Sequence, residues 1–176
     1  KKLHLFLIIL TTKMKSKFYF FIAISIFHIN IYSQNINPFQ SGEWLKYKIT
    51  YSGIFKAGEA TVKLTDEILN NKMVFHAKMN ARSTGAVNLF FKVKDRYESF
   101  FTPQDIIPLK FIRDIDEGGY TKNLNILFND TKSIATVIDF KKNKRINFST
   151  NKNIQDMVSV FYYLRSFFKM EDLNEN

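Results

Sequence analysis

The residues best equipped for chemistry crowd into one stretch: Lys92, Lys94, Asp95, Arg96, Tyr97 and Glu98, then Arg113, Asp114, Asp116, Glu117 and Tyr120. A guanidinium offers a planar fork of donors that fits a carboxylate or phosphate in two-point contact. Arg96, Tyr97, Arg113 and Tyr120 are therefore the expected ligand-binding set, suited to an anionic or glycan-like ligand. The default reading of the same stretch is structural. Arg96 and Arg113 with Asp95, Glu98, Asp114, Asp116 and Glu117 make a charge network across neighbouring strands, where each opposed pair contributes about 0.2 to 1 kcal/mol. The carboxylates Asp95, Glu98, Asp114 and Glu117 also contain the acid and base that glycoside hydrolysis requires. Arginine neighbours lower carboxylate pKa values and work against a general acid, so no catalytic residue is assigned.

Other chemistries lack their usual parts. The chain has no cysteine, which removes thiol nucleophiles, disulfides and a lipid-modified cysteine. Two of its three histidines, His4 and His28, lie near the start, and His76 has no carboxylate at helical ligand spacing, so neither metal nor cofactor is expected. His76 reads as a solvated strand residue. Ser83-Thr84-Gly85 is not a nucleophile elbow, and Gly118-Gly119 reads as a turn in place of a phosphate loop.

The elements that must position these residues begin after an export leader. Met14 to Ser33 has a basic start at Lys15 and Lys17 and an apolar run too short to span a bilayer, the layout of a cleaved signal peptide. Residues 1–13 read as an upstream extension. Without Lys1, Lys2, Lys13, Lys15 and Lys17, 21 of the 26 basic residues remain against 16 acids, a formal charge of about +5. Such an excess serves solubility and also attracts anionic surfaces. A periplasmic or outer-membrane-associated location follows, with envelope lipid, glycan or protein as partner classes, peripheral membrane contact allowed, and nucleic acid excluded by compartment.

Period-two alternation marks the domain. Leu45, Tyr47, Ile49 and Tyr51 alternate with lysines and threonine, Ala60, Val62 and Leu64 follow, and Phe75, Ala77 and Met79 point inward beside outward His76 and Lys78. Asn70-Asn71 and Gly118-Gly119 are hairpin turns. Strands continue over 93–101, 109–115, 120–128 and 133–140, after which Lys141, Lys142, Lys144 and Arg145 read as a solvated loop. Ile154, Met157, Val158, Phe161, Leu164 and Phe168 then recur at helical spacing, predicting one long helix capped by Asn153 and starting near Asp156. The expected fold is mainly β: an antiparallel meander of about seven strands forming a strongly curved sheet or barrel, with one long C-terminal helix, as a single domain over 42–169 and a polar tail over 170–176.

The strings GEWLKYKITYSGIFKAGEA, ARSTGAVNLFFKVKDRYESFF, PLKFIRDIDEGGYTKN and QDMVSVFYYLRSF resemble the DUF3108 family of exported bacterial proteins of unknown function. The resemblance implies a β-rich, barrel-like envelope domain with no established activity or cofactor. It also implies further strands beyond the helix, which marks the chain as a fragment. The expected function is a non-enzymatic binding or assembly role, with a carboxylate-dependent glycan hydrolase and a scaffold using the Phe161 to Phe168 helix face as alternatives. On this reading the protein recovered from expressing cells starts at or near Gln34. N-terminal sequencing that finds Phe18 to Tyr32 still attached would overturn the reading of a cleaved leader.

Overall fold

In the computed structural model, which describes residues 38–52 and 55–167, the chain forms eight antiparallel strands in one meander sheet. The strands are β1 (Trp44–Tyr51), β2 (Phe55–Leu69), β3 (Lys72–Ser83), β4 (Val93–Phe101), β5 (Pro108–Glu117), β6 (Tyr120–Asn129), β7 (Ile134–Asp139) and β8 (Lys144–Ser149). Each pairs with its sequence neighbour in the order β1 to β8. Two short helices accompany them among the described residues, α1 (Val87–Phe90) between β3 and β4 and α2 (Ser159–Phe167) after β8. The expected leader, the upstream residues and the polar tail lie outside the described residues.

The meander is as expected, and three of its details are not. The sheet is not a closed barrel: β1 and β8 are its two edges. Both edges carry lysine, which discourages pairing with another chain. The expected basic loop is in part β8, with Lys144 and Arg145 in the strand and Lys141 and Lys142 in the turn before it. Alternation over this short, wholly exposed strand is too weak in hydrophobic contrast to be read as β. The expected long helix is the nine-residue α2. Ile154 and Met157, counted in its apolar stripe, precede it and are exposed.

Asp156 explains where α2 starts. Its Oδ1 accepts the backbone N–H groups of Val158 and Ser159 at 2.8 Å each, and its own N–H donates to Ser159 Oγ at 2.9 Å. This is a helix-capping arrangement, displacing the expected cap from Asn153. Asp156 Oδ2 also accepts Ser99 Oγ at 2.6 Å, tying the cap to the middle of β4. Burial pushes the Asp156 carboxyl above its ordinary pKa, against the pull of these donors.

The core lies on one face of the sheet, where Val62, Leu64, Phe75, Ala77, Tyr97, Phe101, Phe111 and Ile115 meet Phe39, Ile106, Val158 and Tyr162. Tyr162 is its centre, with ring centroids 4.9 Å from Phe39 and 5.3 Å from Phe101. Arg165 closes the cover. It donates to both carboxylate oxygens of Glu43, at 2.6 and 2.8 Å, and lies over the rings of Phe39, Phe161 and Tyr162. Edge strand β1 gives this core only Leu45 and part of Tyr47, so Ile49 and Tyr51, inward by alternation, are exposed.

Hairpin turns set the register. Asn70 and Asn71 both have positive φ, as a two-residue turn requires, and so do Gly118 and Gly119. Gly58 is needed for another reason: a Cβ there would meet the Arg82 carbonyl oxygen at 2.8 Å. Truncating the fully buried Phe101 removes the ring that joins Phe75 to Tyr162. We expect Phe101→Ala to cost about 3 to 5 kcal/mol of unfolding free energy in a denaturant titration.

Candidate functional site

The face of the sheet opposite the core is polar, and register arranges it in rows. Thr61, Asn80, Arg96, Asp114 and Asn123 stand opposite one another in turn, flanked by a row of Glu59, Arg82, Lys94, Asp116 and Thr121 and a row of Lys63, Lys78, Glu98, Ile112 and Asn125. A cleft of about 560 Å³ opens here, lined by Glu59, Arg82, Lys94, Arg96, Asp114 and Lys141 among others.

Two buried carboxylates organise this face. Glu59 accepts Arg82 Nε at 2.8 Å and Arg82 Nη2 on the same oxygen, while its other oxygen faces Lys56 and Lys46 Nζ at 3.3 and 3.4 Å. These cations, Arg82 foremost and Lys56 next, hold the Glu59 carboxyl down at about 2, well below its ordinary 4.5. Glu98 accepts Arg96 Nη1 at 2.9 Å and lies 3.8 Å from Lys78 Nζ. Arg96 Nη2 donates to Asp114 at 2.8 Å. Asp114 above all, with Glu98, keeps the guanidinium charged beyond its ordinary range.

His76 belongs to the same network, in contrast to the solvated residue expected. Its Nε2 lies 2.8 Å from Glu98 and its Nδ1 2.8 Å from Glu67, and its ring stacks on Phe100 at 4.2 Å. Both nitrogens face carboxylate oxygens. A chain of polar contacts thus runs Glu67, His76, Glu98, Arg96, Asp114 across four strands. Sequence spacing conceals it, because its partners come from neighbouring strands.

The expected ligand-binding set is divided by the sheet. Arg96 is on the polar face, whereas Tyr97 and Arg113 stand opposite each other on the core face. Tyr97 donates to Asp95 at 3.3 Å, and the half-buried Arg113 has an Nε with no hydrogen-bond partner. Tyr120 is exposed at the start of β6, with Lys122 Nζ 5.9 Å from its ring centroid. The expected charge network is divided likewise. Glu98 and Asp114 pair with Arg96, whereas Asp116 accepts the Gly119 N–H and so braces the turn. Asp95 sits near Glu117, and burial first, then the Glu117 charge, pushes its carboxyl up.

Glu59 and Arg82 join the cleft without having been singled out in the sequence, and Lys141 joins it from the run read as a solvated loop. Counting outward from the Asn70-Asn71 turn would have set Glu59 against Arg82; nothing comparable points to Lys141, which reaches Thr121 from the β7–β8 turn. Among the described residues no group of His, Cys, Asp and Glu could hold a metal ion.

Fold and site define a class: an open antiparallel β-meander domain with a helix-covered core on one face and an ion-paired cleft on the other. The family described as "Protein of unknown function (DUF3108)" matches residues 46–174, and the chain belongs to that family. No curated protein and no solved structure matches it.

Because the Glu59 pKa is lowered on folding, its contribution to stability is complete above the ordinary 4.5 and lost as pH falls towards about 2. Denaturant midpoints should fall over that window, and Glu59→Gln should flatten the fall. An unchanged slope would show that the Arg82 contact contributes nothing.

Proposed function

We propose that this domain is a non-enzymatic binding protein of the bacterial envelope, exported by its leader to the periplasm or outer membrane, and that its polar cleft takes a hydroxyl-rich, glycan-like ligand. One observation carries the ligand class: both guanidinium groups of the cleft are already engaged. Arg96 gives one nitrogen to Glu98 and another to Asp114, and Arg82 gives two to Glu59. An anion would have to break these pairs and leave a carboxylate beside it, which costs more than the new contact returns. Sugar hydroxyls donate and accept at once, so they add to fixed ion pairs without displacing them. Thr61, Asn80 and Lys94 supply further groups between the pairs. The reading takes the sheet as strongly curved, in support of which Glu59 on β2 and Lys141 beyond β7 line one cleft.

A glycan array probed with the full chain tests this reading. Retention of saccharides that Asn80→Ala and Lys94→Ala weaken by about tenfold, at unchanged thermal midpoint, is the expected result. Release of reducing ends would move the assignment to a hydrolase. No retention of any saccharide would remove the glycan reading.

A further inference from the structure

The meander brings four connections to one end of the sheet: β1–β2, α1 between β3 and β4, β5–β6 and β7–β8. That end is apolar where turns are normally polar. Leu89 and Phe90 of α1 are 82% and 90% exposed, and at the same end Tyr51 closing β1, Phe91 following α1, Tyr120 opening β6 and Phe140 in the β7–β8 turn are exposed as well. Phe91 packs against Gly118, where a Cβ would run into its ring, so α1 and the β5–β6 turn form one continuous tip. The Gly118 N–H also donates to the Lys92 carbonyl at 2.8 Å.

Charge separates this tip from an ordinary exposed patch. Lys92 follows α1 directly, Lys122 stands beside Tyr120, and Lys141 and Lys142 follow Phe140. Two of the nearby acids are turned inward onto backbone: Asp116 accepts the Gly119 N–H, and Asp139 accepts those of Lys141 and Lys142. Glu117, with Asp95 and Glu59 further in, are the remaining acids, and Glu59 is taken up by Arg82, Lys46 and Lys56. Protruding aromatic and aliphatic side chains with a collar of lysines match the boundary of an anionic bilayer, where apolar tips enter the acyl layer and ammonium groups stay with the phosphates. The apolar groups are exposed on separate elements, which suits a fluid surface better than a shaped protein partner.

We propose that this end of the sheet docks on anionic phospholipid, with Leu89 and Phe90 as the inserting pair and Lys92, Lys122, Lys141 and Lys142 as its headgroup contacts. Of these residues the docking shares only Lys141 with the cleft.

The absence of cysteine from the chain allows a clean test with an environment-sensitive fluorophore on Leu89→Cys, or on Thr131→Cys in the β6–β7 turn at the opposite end. The full chain is mixed with vesicles of phosphatidylglycerol and phosphatidylcholine. The label at position 89 should shift to the blue and be quenched by lipid-borne nitroxide, while that at 131 should not. An apolar leader that merely tethers the chain would bring both labels to the vesicle, so the contrast between positions carries the result. Adding Phe90→Ser should weaken insertion by about tenfold, and pure phosphatidylcholine should support little of it. The proposal is overturned by equal responses at the two positions, by equal insertion into uncharged vesicles, or by concentration-dependent protection of position 89 without lipid, which would make this end a contact between copies.

Discussion

An eight-stranded sheet has two faces, and among the described residues one of them is covered by the nine-residue α2, the segment around Phe39 and the loop that carries Ile106. Everything else follows from how that cover is held. The fasteners are polar. Asp156 joins the start of α2 to Ser99 on β4, and Arg165 joins its last turn to Glu43 ahead of β1. Between them Tyr162 fills the centre, fully buried, with a hydroxyl that has no hydrogen-bond partner. Burial raises the pKa of that hydroxyl and keeps it neutral.

The other face remains wet, and a wet face built from long charged side chains settles into ion pairs. Glu59 and Glu98 are buried beneath the cations they attract, so the polar surface has fixed points of its own. The cleft is therefore the counterpart of the core: one face removes water with aromatic rings, the other orders charge around two carboxylates. A single layer keeps these roles apart, because successive residues of a strand point to opposite sides. Arg96 and Tyr97 are covalent neighbours and cannot serve one ligand from one face. The same alternation separates Asp95 and Glu117 from Glu98 and Asp114.

Much of this was legible in the chain. Alternation from Leu45 to Phe140 marked the strands, and the Asn-Asn and Gly-Gly turns marked two hairpins whose geometry dictates register. The Arg96 pairs with Glu98 and Asp114 were within reach of that reasoning. Strand β8 was not, since KRINFS has too little hydrophobic contrast to distinguish an edge strand from a loop. Nor was the end of the helix pattern: Ile154 and Met157 keep helical spacing, but Asp156 takes the cap three residues before the first turn begins. His76 was misjudged because its partners, Glu67 and Glu98, come from the strands on either side of its own.

By itself the sequence determined the strand and turn succession, the family, and which residues share a face, because these depend on local periodicity and on turns of two residues. Tertiary structure alone decided that the sheet stays open, that Glu59 and Glu98 become the fixed points of the polar face, and that Lys141 reaches the cleft. It also gathered the apolar turns at one end. Those outcomes depend on which strands lie side by side, and contacts between distant residues leave no period in a sequence.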